Sequence, residues 1–128
     1  MKHLFNFKLF ENKEEADDLL NQICYELSDL GFHSREDSEV KVQPTDGDKE
    51  KSVIFIQKYT EWDAPFFYFS EIKDAVYRLK DVIGIDKIDT INFLRPGHTN
   101  YEILSFSSFR LECIDDFELI SMFIVFNY

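Results

Sequence analysis

Residues 70–84 read SEIKDAVYRLKDVIG, and the apolar members Ile72, Ala75, Val76, Leu79, Val82 and Ile83 recur at offsets of three, four, seven, ten and eleven. That spacing puts all six on one stripe of an α-helix. Ser70 can accept a backbone N–H bond at its start, and Gly84 can take the positive φ that ends it. Immediately upstream, Phe66, Phe67, Tyr68 and Phe69 form an apolar block that the stripe must help to cover. A second helix is expected earlier in the chain. Asn12 followed by Glu15 resembles a capping box, Ala16, Leu19, Leu20, Ile23, Cys24, Leu27 and Leu30 keep helical spacing, and Gly31 supplies the stop.

Between and around these helices the pattern switches to period two. Residues 3–10 alternate Phe5, Phe7 and Leu9 with Asn6 and Lys8, and residues 39–43 place Val40 and Val42 on one face. Pro44, Thr45, Asp46 and Gly47 are turn chemistry, and the unbroken apolar start of residues 53–59 predicts a strand inside the sheet. Residues 88–94 give a fourth strand, closed by Arg95, Pro96 and Gly97. The order β-α-β-β-α-β predicts an α+β domain, a two-layer sandwich with a ferredoxin-like core. Residues 101–113 and 117–126 are expected to add a C-terminal β-hairpin that extends the sheet or covers it. No repeat or linker divides the 128 residues, so a single domain, 1–128, is expected.

The charge is uneven, and this limits the partners. Twenty-five acids against 14 bases give a formal charge of −11, which disfavours nucleic-acid phosphates and anionic membranes and favours basic partners. From Glu11 to Asp29 seven acids face the single base Lys13. Glu14, Asp17 and Asp18 form a candidate partner-binding ridge that could imitate a row of phosphates before a basic or nucleic-acid-binding protein; the plain alternative is a solvated helix face with acids near its positive end. Fourteen Phe and six Tyr exceed what a small core needs, so some aromatics are expected to face a partner or a second layer. Cys24 and Cys113 lie in apolar patterns and are expected to be free thiols. The first residues, with Asn6 and Lys8 interrupting their apolar run, do not read as a signal peptide, and residues 119–126 are far short of the ~20 needed to span a bilayer. A soluble, cytoplasmic protein is expected.

Chemistry is not signalled. Asp46, Asp48 and Glu50 alternate like calcium ligands, yet the sixth and twelfth positions of that loop hold Lys51 and Gln57 instead of Gly and Glu. His3, His33 and His98 are far apart, with no second ligand at zinc spacing. Ser105, Ser107 and Ser108 lack a Gly-flanked elbow, and the glycines stand singly rather than in a phosphate-binding loop. The turn of Arg95, His98, Thr99 and Asn100 is the best pocket edge, and it reads more simply as a connection between strands. No catalytic residue, metal ligand or cofactor is assigned.

Residues 117–126, FELISMFIVF, are apolar on both faces: Phe117, Leu119, Ser121, Phe123 and Val125 on one, Glu118, Ile120, Met122, Ile124 and Phe126 on the other. A two-layer sandwich would leave one row bare, and large bare apolar patches are uncommon on soluble monomers. Ile120, Met122, Ile124 and Phe126 are therefore a candidate interface with a second copy or a partner, with an internal cover as the alternative.

KLFEN near the start, ELSDLGF before VKV, and EIKDAVYRLKDVIG resemble small uncharacterised proteins of large tailed bacteriophages. The resemblance implies a viral origin and a role in the cytoplasm of the infected host or in the virion, and no activity. The expected function is that of a non-enzymatic, acidic protein-binding module, an accessory or anti-defence factor engaging a host protein. A virion or assembly component packing through apolar strand surface is the second reading, and a small ligand-binding protein or enzyme with a pocket near His98 is the third.

Overall fold

Two amphipathic helices carry the stripes: α1 spans Lys13–Asp29 and α2 spans Lys73–Ile83. The computed structural model describes residues 13–35, 39–45, 51–58, 66–104 and 114–127. The strand expected at residues 3–10, the acids Asp46, Asp48 and Glu50, Ser105, Ser107, Ser108 and Cys113 lie outside them.

In α1, Ala16, Leu20, Ile23, Cys24 and Leu27 are buried. Leu30, expected on the same stripe, is exposed because the helix has already ended: its N–H reaches Glu26 and Leu27 carbonyls at 3.2 Å while Gly31 turns the chain at φ +96°. The α2 stripe is buried as the spacing predicts. Its start differs from expectation. Ser70 lies inside a single 3-10 turn, Phe69–Glu71, and α2 begins after Ile72. The Glu71 carboxylate, not Ser70, accepts a backbone N–H there, from Tyr68 at 2.8 Å. At the other end the Gly84 N–H reaches the Lys80 carbonyl at 2.9 Å with φ +94°.

The strands are β1 (Phe32–His33), β2 (Val42–Pro44), β3 (Lys51–Lys58), β4 (Phe67–Tyr68), β5 (Ile88–Leu94), β6 (Glu102–Leu104), β7 (Glu118–Leu119) and β8 (Ser121–Asn127). The main sheet runs β1-β3-β8-β5-β6, with β2 beside β1 on the same edge of β3, and β4 and β7 form a separate two-stranded ribbon. Every pairing is antiparallel. Ser28 fastens the entry to β2: its hydroxyl accepts the Val40 N–H at 2.8 Å and donates to the Cys24 carbonyl at 2.9 Å.

The architecture is α+β, and its C-terminal strand corrects the expected hairpin extension. β8 is paired on both sides, with β3 from Lys51↔Asn127 to Gln57↔Ser121 and with β5 from Ile88↔Phe126 to Leu94↔Ser121. β6 pairs with β5 and not with β8. A ferredoxin-like order would bring the first strand of the chain between β3 and β5, and that place is held by β8. Apolar residues on both faces are the mark of an interior strand, a reading that applies to residues 121–127 as much as to β3.

Both helices pack on one face of this sheet. Their buried residues form one core with Ile54, Ile56, Ile91, Phe93, Met122, Ile124 and Phe126. The candidate interface row is thus interior: Met122, Ile124 and Phe126 are at most 1% exposed under the helices, and Ile120 is half-buried in the bend before β8. The cover is the helical layer of the same chain, so Met122, Ile124 and Phe126 offer no surface to a second copy.

Candidate binding surfaces

The second face of the sheet is built differently. Register places Phe55 opposite Phe123, Phe123 opposite Asn92, and Asn92 opposite Ile103, so one row crosses four strands. Neighbouring rows carry Gln43, Val53, Val125 and Thr90 on one side, and His33, Gln57, Ser121 and Leu94 on the other. Phe55, Phe123, Val53 and Val125 are only half-buried, in contrast with the core row beneath the helices. The Phe55 and Phe123 rings stack with centroids 5.4 Å apart and planes 7° apart. Tyr101 meets Phe123 edge-on at 5.0 Å, and its hydroxyl is 2.7 Å from Ser121 Oγ. Such aromatic pairs contribute roughly 0.5–1.5 kcal/mol beyond the area they bury.

These rings floor a groove of about 440 Å³. Gln43, Thr45 and Gln57 bring amide and hydroxyl groups to its walls, and Arg35 is its one charged lining residue among the described residues. No ion pair joins Arg35 to an acid among the described residues. The sequence pointed to surplus aromatics without saying which; the signal lay in every second residue of β3 and β8, legible only once their register is known.

The acidic ridge lies on the opposite layer. Glu14, Asp18, Tyr25 and Asp29, spaced by four, seven and four residues, share the solvent side of α1, and Tyr25 is 71% exposed among the acids. Asp17 is half-buried on the flank of this stripe, so Glu14, Asp17 and Asp18 do not form one row. Glu26 is consumed by Arg78, which also reaches Asp74, and these contacts tie α1 to α2.

The loop near His98 is a turn. The His98 N–H reaches the Arg95 carbonyl at 3.2 Å, Gly97 takes φ +82°, and the His98 side chain is exposed. Arg95 donates to both carboxylate oxygens of Glu102 at 2.6 and 2.8 Å and lies 4.7 Å over the Phe117 ring, so its charge is already engaged. Burial pushes the Cys24 thiol up to about 12, which leaves it protonated and unreactive at neutral pH. Among the described residues no group of His, Cys, Asp and Glu could hold a metal ion, and no helix is long and apolar enough to cross a membrane.

Comparison with protein-family models, curated proteins and solved structures finds no match to this chain. Function therefore rests on the two surfaces described: an acidic helix stripe with a tyrosine in it, and an aromatic groove on the far face of the sheet.

Proposed function

We propose that this domain is a non-enzymatic protein-binding module that engages a basic protein surface through the outward stripe of α1. The observation that carries the reading is Tyr25, 71% exposed and flanked by Glu14, Asp18 and Asp29 on one helix face. Tyrosine is enriched at the energetic centres of interfaces, where it supplies contact area at low entropic cost. Acids around it steer a basic partner and fix its orientation. Asp18 and Asp29 make no ion pair among the described residues, so their charge is available to a partner. The resemblance of three segments to tailed-phage proteins fits an accessory factor acting on a nucleic-acid-binding host protein, with an acidic stripe in place of phosphates.

The test is capture of partners from host lysate on the wild-type chain, followed by titration of the captured protein. Replacing Glu14, Asp17 and Asp18 together by Lys, or Tyr25 by Ala, should each weaken binding at least tenfold while far-UV circular dichroism is unchanged. Raising salt toward 1 M, where the Debye length falls to about 3 Å, should weaken the wild-type complex as well. Binding that survives the charge reversal and high salt removes the α1 stripe from the mechanism.

A further inference from the structure

We propose that the groove on the far face of the sheet binds a planar aromatic ligand carrying one carboxylate, stacked on Phe55 and held by Arg35. One face of Phe55 is covered by Phe123 from β8, and Tyr101 caps Phe123 beyond it. The groove's lining from β2 and from the segment after β1, Gln43 and Arg35, lies along the opposite edge of β3. Among the described residues the ring contact given for Phe55 is on its Phe123 side, so the stack continues on the side of the β2 edge, where Gln43 and Arg35 line the groove, and an aromatic ring placed there extends the stack by one. Its volume, about 440 Å³, falls in the range of small-molecule sites, which combine an apolar floor with few polar groups.

The polar groups specify the ligand. Arg35 can only donate hydrogen bonds, and its planar fork matches a carboxylate bidentately. The Gln43 side chain makes no hydrogen bond among the described residues. Gln57 Nε2 makes only a long 3.5 Å contact with the Ser34 carbonyl, so both amides can serve a ligand's edge. Among the described residues Arg35 is the sole charged lining residue, in a chain whose net charge is −11, so the site complements a monoanion while the protein's field opposes polyanions. This inference is independent of the α1 reading, since α1 packs on the other face of the sheet.

The probe is 2-naphthoate, titrated into the uniformly 15N-labelled full chain and followed by amide chemical shifts. The expected result is saturable shifts centred on Gln43, Val53 and Phe55 with a Kd below about 1 mM. The neutral 2-naphthamide and the non-aromatic cyclohexanecarboxylate should each bind about tenfold more weakly. Arg35→Gln should abolish the preference for 2-naphthoate over 2-naphthamide, and Phe55→Leu should abolish the preference over cyclohexanecarboxylate. Arg35 is exposed, so its substitution leaves the fold intact and keeps the charge arm readable even if Phe55→Leu perturbs the sheet. No saturable shift at millimolar 2-naphthoate, equal affinity for the amide, or an unchanged preference in Arg35→Gln would each overturn the proposal.

Discussion

Cys24 sits where α1 meets the core, 1% exposed, and its thiol is held protonated by burial. Its pKa of about 12 in the folded chain exceeds the ordinary thiol value of about 8.5. A group whose pKa is raised by folding contributes stability below its unfolded value and loses that contribution as pH climbs toward the folded one. The folded protein should therefore resist alkylation by iodoacetamide at Cys24 at pH 8, and lose stability between about pH 8.5 and 12. Urea melts across that interval check this: replacing Cys24 by Ala should lower stability at pH 7 but flatten the decline above pH 9. Rapid native-state labelling of Cys24, located by mass spectrometry, would contradict the buried thiol. The same scale shows what periodicity omits. Cys24 was legible as buried from its helical spacing, whereas Leu30 continued the spacing past the residue where the helix stops, because a stripe of side chains carries no record of which backbone N–H bonds close the last turn. Ser28, which pins Val40 to α1, was not legible at all, since its partner is a backbone N–H twelve residues away.

At the level of elements, β8 decides the architecture. Two helices, the strands β2, β3 and β5 and the α+β class follow from period and turn chemistry, because each of those signals is local. The position of β8 is not local. Its row of Met122, Ile124 and Phe126 is equally compatible with an oligomer interface and with a helical cover, and only pairing with β3 and β5 selects the second. Replacing Met122 and Ile124 together by Glu should consequently unfold the chain rather than dissociate an oligomer, because two carboxylates would be placed at positions 0% and 1% exposed in the wild type. Removing buried apolar side chains alone costs roughly 2–5 kcal/mol each, and an unpaired buried charge adds several more, enough to exhaust a typical stability of about 5–15 kcal/mol. Circular dichroism and light scattering on the double variant check the outcome; a folded protein of reduced mass would restore the interface reading. The groove was illegible for the same reason, since Phe55 and Phe123 come together only through the register of β3 and β8, and Tyr101 only through the placement of the segment before β6.

Across the whole molecule two electrostatic effects oppose each other, and salt separates them. Ion pairs such as Lys51 with Asp89, Lys58 with Glu71, Lys73 with Asp115 and Arg95 with Glu102 bind elements together, but their side chains are each about a third exposed or more. Pairs of this kind contribute roughly 0–1 kcal/mol each, and salt removes part of that. Against them stands the self-repulsion of a chain with formal charge −11, concentrated on an α1 that has Glu14, Glu15, Asp17 and Asp18 within its first turns and no basic residue in its last. Compacting such a charge excess is unfavourable, and screening shortens its reach from about 30 Å at 0.01 M ionic strength to about 8 Å at 0.15 M. Repulsion acts among many charges at once while each ion pair acts over a few ångströms and stays partly shielded from solvent, so screening should relieve more than it removes. Adding sodium chloride from about 0.01 to 0.15 M should raise Tm by a few degrees, the shift expected in a domain of this size from roughly 1 kcal/mol. The variant with Glu14, Asp17 and Asp18 replaced by Lys, whose net charge is six units less negative, should show a smaller rise. Calorimetric melts at matched pH provide the measurement. A Tm that falls with added salt in the wild type would mean that the ion pairs between elements outweigh the charge excess.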